Sequence, residues 1–244
     1  MTKVEAIKKV LEDNGGIATW NIIYNQIEKY YSGIKSSNEW EAGIRGVLYR
    51  EIKNNKNFKK VGIALFALID YKEERIEDLR QDKFRMHSFI EGVCIEIGNF
   101  LKLKTYTADP TAKYNNLSLS EIATLPHIPD FTYKDITDTI KRIDVLWFND
   151  KGYRFPKNAI EIVDSIGTLE PSLKRIFQLV EFNLSFYILC SKENIKKVKK
   201  ELSAEPYKRI SNRFVVRDYD YILNIYRNPI ANTNDDFLQF EYHF

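Results

Sequence analysis

Two apolar segments that each carry one acidic residue most constrain how this chain can fold. They are Arg142-Ile-Asp-Val-Leu-Trp-Phe148 and Ala159-Ile-Glu-Ile-Val163. Val, Ile, Trp and Phe favour strands, and the tight-turn signature Asn149-Asp-Lys-Gly152 follows the first segment directly. Acidic side chains are seldom buried in strands without a partner. The pattern therefore predicts two neighbouring buried strands on which Asp144 and Glu161 meet.

Two adjacent carboxylates repel each other unless a cation lies between them. Oxygen ligands with no adjacent His or Cys suit Mg²⁺, so Asp144 and Glu161 are candidate metal ligands. A third acid, Glu96 or Glu91, lies on the apolar helix that precedes them, and helical geometry points these two about 140° apart. Only one of them is therefore expected to join the site. The alternative is that each acid is a strand-end or salt-bridged residue without a catalytic role.

Helices and strands alternate through the second half of the chain. The predicted helices are Met86–Leu101, Asp135–Ile140, Leu169–Val180, Lys192–Leu202 and Tyr219–Tyr226. The predicted strands are Lys104–Thr107, Ile143–Phe148, Ala159–Val163, Ser185–Cys190 and Arg213–Arg217. This order predicts an α/β (α+β) domain with a mixed sheet.

The first 71 residues have a different pattern, with three amphipathic helices followed by a β-hairpin. That order is typical of a winged helix-turn-helix, which binds DNA through its third helix. Four residues of that helix lie off its apolar stripe and are candidate DNA contacts, namely Arg45, Tyr49, Arg50 and Lys53. Lys59 and Lys60, on the hairpin, are expected to contact phosphates. We therefore predict a DNA-binding domain at 1–71, a charged linker at 72–85 and a second domain at 86–244.

Composition excludes several classes of protein. The 244 residues are 44% hydrophobic and 29% charged, which is typical of a globular chain, and the net charge of +3 comes from the N-terminal region. No apolar run approaches the roughly 18 residues of a membrane span, so no membrane association is expected. There is no recognisable export signal, and Cys94 and Cys190 lack the spacing of a zinc site. A cytoplasmic location is expected.

Several segments of the second half resemble the PD-(D/E)XK nuclease superfamily, in particular restriction-endonuclease-like proteins that place a winged helix before the nuclease. The similar segments are His87-Ser-Phe-Ile-Glu-Gly-Val-Cys-Ile-Glu-Ile-Gly98, Arg142–Asn149, Arg154–Ser165, Leu173–Leu179, Phe186–Ser191, Tyr207–Ile210 and Arg213–Val216. The resemblance covers about residues 86–226. It implies that Asp144 and Glu161 bind the metal and that Glu96 is the acid of the helix. His87 is interpreted as a capping or structural residue.

The chain departs from that family pattern at residue 163. The relatives read Glu-x-Glu or Glu-x-Lys in the second strand, and this chain has Val163 where the third catalytic side chain is expected. A valine can neither orient the attacking water nor stabilise charge on a phosphate. Asp164 could replace the missing group if the strand bulges or ends there. Lys174, on the following helix, could instead reach the site with its long side chain.

These observations together predict a Mg²⁺-dependent endonuclease of the type II restriction kind that cleaves double-stranded DNA. One active site per chain implies that double-strand cleavage needs a homodimer or two sequential nicks. A DNA-binding protein or regulator that has lost its catalytic chemistry is the main alternative, because of Val163. A protein-interaction module would be favoured if the basic face of the third helix were buried.

Overall fold

The computed structural model describes residues 1–229, which separate into two units. The first unit comprises Met1–Arg75 together with Asn115–Leu117, and the rest of the described chain forms the second unit. The segment 72–85, predicted to be a linker, contains one short helix and the first residues of a long one. Within the described residues, no helix is long and apolar enough to cross a bilayer.

The first unit contains the predicted order of three helices and a hairpin. Its elements are α1 (Lys3–Asp13), β1 (Ile17–Thr19), α2 (Trp20–Gln26), α3 (Trp40–Lys53), β2 (Phe58–Lys60) and β3 (Leu65–Leu68). Thr2 begins α1 with a capping box that includes Glu5, and Thr19 caps α2. The strands form an antiparallel sheet in the order β1-β3-β2. The helices and this sheet enclose a core that includes Leu11, Leu48 and Phe66.

The second unit alternates helices and strands. Its helices are α4 (Ile76–Leu79), α5 (Lys83–Phe100), α6 (Leu119–Ile122), α7 (Lys134–Ile140), α8 (Leu169–Phe177), α9 (Ile195–Leu202) and α10 (Tyr219–Arg227). The strands are β4 (Lys104–Thr107), β5 (Lys113–Tyr114), β6 (Leu117–Ser118), β7 (Val145–Phe148), β8 (Pro156–Val163), β9 (Ser185–Cys190) and β10 (Phe214–Asp218), of which Leu117 belongs to the first unit.

A five-stranded sheet in the order β10-β9-β8-β7-β4 forms the centre of this unit. β8 pairs antiparallel with β7 and parallel with β9, and β10 is parallel to β9. The predicted α/β fold with a mixed sheet is therefore confirmed. Because β8 is central and buried on both faces, its acidic residue is held away from water.

Helix α5 is buried along most of its length after the first turns. Asp82 caps its N-terminus by accepting hydrogen bonds from the backbone N–H groups of Phe84 and Arg85. From Phe89 to Gly98 every residue is buried, which is typical of a helix inside the core. A Cβ atom at Gly98 would lie 2.6 Å from both Thr105 Cγ2 and Trp147 Nε1. Only glycine therefore lets α5 pack this closely on β4 and β7.

Substituting Gly98 by alanine tests this close approach. We expect Gly98→Ala to lower the free energy of unfolding by about 1–3 kcal/mol, because the added methyl group must displace Thr105 or Trp147. Gly167→Ala is the matched control, since its Cβ would lie at an ordinary 3.8 Å from Ser165 Oγ. Urea denaturation of both variants measures the difference, and equal midpoints would contradict the close packing of α5.

Candidate active site

Asp144 and Glu161 lie opposite each other at one end of the β7–β8 pair. β7 begins at Val145, so Asp144 immediately precedes the strand instead of lying within it. The register pairs Val145 with Ile160, which places the next two residues, Asp144 and Glu161, across from each other. Asp144 Oδ2 accepts a hydrogen bond of 2.7 Å from the backbone N–H of Ile162. The structure thus brings the two predicted metal ligands together.

Glu161 is fully buried and is bound by Arg175 of α8. Arg175 Nε donates to Glu161 Oε1 at 2.8 Å, and Nη2 donates to Oε2 at 2.5 Å and to Ser172 Oγ at 3.0 Å. Burial and the nearby Asp144 carboxylate raise the pKa of Glu161, whereas the guanidinium of Arg175 opposes that rise. Arg175 is therefore the cation that allows a carboxylate to lie inside this sheet.

His87 of α5 connects Asp144 with Asp164. Its Nδ1 lies 2.7 Å from Asp164 Oδ2, and its Nε2 lies 3.7 Å from Asp144 Oδ2. β8 ends at Val163, so Asp164 is the first residue beyond the strand, and Tyr219 Oη donates to its other oxygen at 3.0 Å. Burial alone would lower the pKa of His87, but the bond to Asp164 and the surrounding carboxylates raise it to about 9.

Glu91 lies one helical turn beyond His87 and faces the same group. One possible ligand atom from each of His87, Glu91 and Asp144 lies within 4.8 Å of the other two. The Glu91 side chain is buried, and burial together with the Asp144 carboxylate raises its pKa well above the usual range. Carboxylate and imidazole groups in this proximity fit a divalent cation.

Two residues predicted for the site lie elsewhere. Glu96 accepts a hydrogen bond of 2.8 Å from Tyr114 Oη and one from Tyr226 Oη, because the helix turns it away from Glu91. The acid of α5 beside Asp144 is thus Glu91, the other of the two acids considered. Lys174 projects into solvent and forms an exposed ion pair of 2.8 Å with Glu170. Its neighbour Arg175 reaches the site instead and contacts Glu161.

Sequence reasoning missed Arg175 and the position of His87. Helical spacing gave no usable signal for Arg175, since residues 174 and 175 lie about equally far from the stripe of Leu169, Leu173 and Ile176. His87 gave no signal either. Its partners Asp144 and Asp164 are distant in sequence, and only the fold places them beside α5.

The outer face of α3, in the first unit, carries the four residues predicted to contact DNA. Arg45, Tyr49, Arg50 and Lys53 are all exposed, and their spacing places them on one side of the helix. Arg45 donates to Tyr24 Oη at 2.9 Å and lies 3.5 Å from Glu41. The basic face predicted from the sequence is thus exposed in this unit, and Arg45 on it contacts Tyr24 and Glu41.

The two lysines of the hairpin differ in their surroundings. Lys59 Nζ donates to the backbone carbonyl of Tyr71 at 2.6 Å and lies 3.1 Å from a carboxylate oxygen of Glu73. Lys60 is exposed, and within the described residues its ammonium group has no hydrogen-bond or ion-pair partner. Lys60 is therefore the better placed of the two for a phosphate contact.

Comparison with protein-family models gives a match to the type II restriction enzyme NmeDI C-terminal domain over residues 69–235. A search of curated proteins gives no match. The matched residues form more than half of the chain and include the entire cluster around Asp144, Glu161 and His87. The chain therefore belongs to the family of the type II restriction enzyme NmeDI C-terminal domain.

Proposed function

We propose that this protein is a sequence-specific endonuclease that hydrolyses phosphodiester bonds of double-stranded DNA with Mg²⁺. The observation that carries the proposal is the meeting of Asp144 and Glu161 at one end of two central strands, in a chain of a restriction-enzyme family. Two adjacent carboxylates in a protein interior destabilise the folded state unless a cation binds between them. This proposal includes the PD-(D/E)XK-like character of the second unit.

Asp144 and Glu161 would hold the metal ion. Each carboxylate has about four lone-pair positions, so the hydrogen bonds from Ile162 and Arg175 leave others for a cation. The bound ion would lower the pKa of a water molecule and offset negative charge on the phosphate. Asp164, predicted as a substitute for the missing third group, is positioned beyond the end of β8 and orients His87.

Arg175 would bind the phosphate being attacked. Its contacts with Glu161 and Ser172 use the N–H groups of Nε and Nη2, and those of Nη1 make no hydrogen bond to any other described residue. A guanidinium whose Nε and Nη2 bind a carboxylate can use Nη1 to bind a phosphate oxygen. It would thereby stabilise charge where the family pattern has Glu or Lys in place of Val163.

The first unit would read the DNA sequence as a winged helix-turn-helix. The exposed face of α3 would enter the major groove, with Arg45 already oriented by Tyr24 and Glu41. Lys60 on the hairpin would contact a phosphate without reading bases. The exposure of the basic face gives no support to the alternative of a protein-interaction module.

A DNA-binding protein without nuclease activity is the second candidate. Val163 is fully buried in the core, so this position supplies no catalytic group, and both oxygens of Glu161 already accept hydrogen bonds from Arg175. Under this reading the acids and Arg175 would serve stability alone. The cleavage assay below separates the two candidates.

Cleavage of both strands by one site per chain would require a homodimer or two successive nicks. A plasmid time course distinguishes them, because a dimer converts supercoiled DNA to linear directly whereas sequential nicking accumulates the open circle. We also propose a cytoplasmic location, which suits the free thiols Cys94 and Cys190 and a DNA substrate.

The first functional prediction concerns the metal ligands. Purified protein with phage DNA and Mg²⁺ is expected to give fragments with one recurrent end sequence, and EDTA should stop the reaction. Asp144→Asn and Glu161→Gln should each reduce cleavage at least about a thousandfold, because loss of a ligand removes metal-assisted hydrolysis. Gel-shift affinity for the same DNA should stay within about twofold. Failure of the wild-type protein to cut any DNA would favour the non-catalytic candidate.

The second prediction compares the two adjacent basic residues of α8. Arg175→Lys keeps a positive charge but loses the two-nitrogen contact with Glu161, so the cleavage rate should fall at least about tenfold. Lys174→Ala removes only an exposed ion pair with Glu170, and the rate should change by less than about twofold. Thermal melting of both variants controls for unfolding. A greater loss of cleavage rate for Lys174→Ala than for Arg175→Lys would indicate that Lys174 is the catalytic group.

The third prediction concerns DNA binding by the first unit. Lys60→Ala should weaken binding to all sequences alike and reduce the log–log salt slope by about 0.9, the value for one phosphate. Arg45→Ala should cost roughly 1–3 kcal/mol on the preferred sequence and less on random DNA. Lys8→Ala, on α1, is the control for a general loss of charge. Fluorescence anisotropy at several salt concentrations measures all three, and an unchanged slope for Lys60→Ala would place the hairpin away from DNA.

A further inference from the structure

His87 and Glu91 form a ligand pair on one side of α5. Residues four apart on a helix are neighbours on its surface, and both side chains face Asp144 at the start of β7. The three possible ligand atoms lie within 4.8 Å of one another. An ion that binds each ligand at about 2.1 Å would need only small side-chain shifts to contact all three.

The Glu91 carboxylate has the surroundings of a metal ligand. The residue is only 2% exposed, and among residues 1–229 no donor forms a hydrogen bond or an ion pair with it. A carboxylate in these surroundings is destabilising, since it loses most of its hydration and gains no hydrogen bond from the described residues. A cation bound between Glu91 and Asp144 would supply that compensation.

The imidazole of His87 is oriented by a second layer of contacts. His87 Nδ1 lies 2.7 Å from Asp164 Oδ2 and donates a hydrogen bond to this carboxyl oxygen, and Tyr219 Oη donates to the other oxygen of Asp164 at 3.0 Å. A metal ion would then bind at Nε2, the nitrogen nearer to Asp144, in place of the proton there. A histidine that donates from one ring nitrogen to a carboxylate is the usual arrangement of a metal-binding histidine.

We propose that His87, Glu91 and Asp144 bind a divalent first-row transition-metal ion such as Mn²⁺, in preference to Mg²⁺. Imidazole nitrogen favours these ions, whereas Mg²⁺ prefers oxygen ligands throughout. The site shares Asp144 with the Asp144–Glu161 position but does not use Glu161, which is bound by Arg175. A role of this ion in DNA hydrolysis would rest on the proposed nuclease function, whereas the binding of the ion does not depend on that function.

The experiment uses the full chain, freed of metal with a chelator and studied without DNA. Titration with Mn²⁺, followed by the electron paramagnetic resonance signal of the free ion, should show one bound ion per chain. A competing titration should require at least tenfold more Mg²⁺ to displace it. Electron spin echo modulation of the bound Mn²⁺ should show one directly coordinated nitrogen, and the absence of nitrogen modulation in the wild-type protein would overturn the proposal.

Single substitutions identify which residues supply the coordinating nitrogen and oxygen atoms. His87→Gln should abolish the nitrogen modulation and weaken Mn²⁺ binding at least tenfold, and Glu91→Gln should weaken binding while the modulation remains. Glu96→Gln is the matched control, because it alters a buried acid of the same helix that binds tyrosines instead. Weakened binding for Glu96→Gln with none for Glu91→Gln would overturn the assignment.

The outcome is separable from that of the cleavage assay. Nitrogen-coordinated Mn²⁺ in a protein that cuts no DNA would support this site and contradict the proposed function. Cleavage with Mg²⁺ by a protein that binds no nitrogen-coordinated ion would support the function and contradict this site.

Discussion

The burial of carboxylates at one end of β7 and β8 is the constraint on which the larger unit depends. Glu161 is fully buried, Glu91 is nearly so, and Asp144 is partly buried. Each would be strongly destabilising alone, so neighbouring helices must supply positive charge. α8 supplies Arg175 and α5 supplies His87, which fixes how both helices dock on the sheet. The same contacts therefore hold α5 and α8 on the sheet and build the candidate site.

The strands were largely predictable from buried apolar runs and from alternating burial. Ser185–Cys190, which is mostly apolar, and Lys104–Thr107, in which buried and partly buried residues alternate, have the predicted ends. The strand predicted from Ile143 begins instead at Val145, since the carboxylate of Asp144 bonds the backbone of Ile162 across the pair. α5 begins at Lys83, earlier than predicted, because Asp82 caps it within a stretch whose charges indicated a linker. The starts of β7 and α5 are thus determined by hydrogen bonds of Asp144 and Asp82, which a pattern of apolar residues does not reveal.

The site was predictable only where its residues share a local pattern. Asp144 and Glu161 stand out because each interrupts an apolar run of the sequence. The choice between Glu91 and Glu96 depended on the rotation of α5, which is set by its close approach to β4 and β7 at Gly98. His87 and Arg175 act on residues far from them in sequence, and a pattern in one segment cannot show such pairings.

The burial of Val163 limits how the site could be redesigned. Its side chain is fully buried in the same apolar cluster as Leu169 and Leu173, and it pairs in register with Cys190 of β9. A glutamate or lysine introduced there alone would carry its charge into a packed apolar core and destabilise the sheet. Building a third catalytic group at this position would therefore need compensating substitutions in α8 and β9.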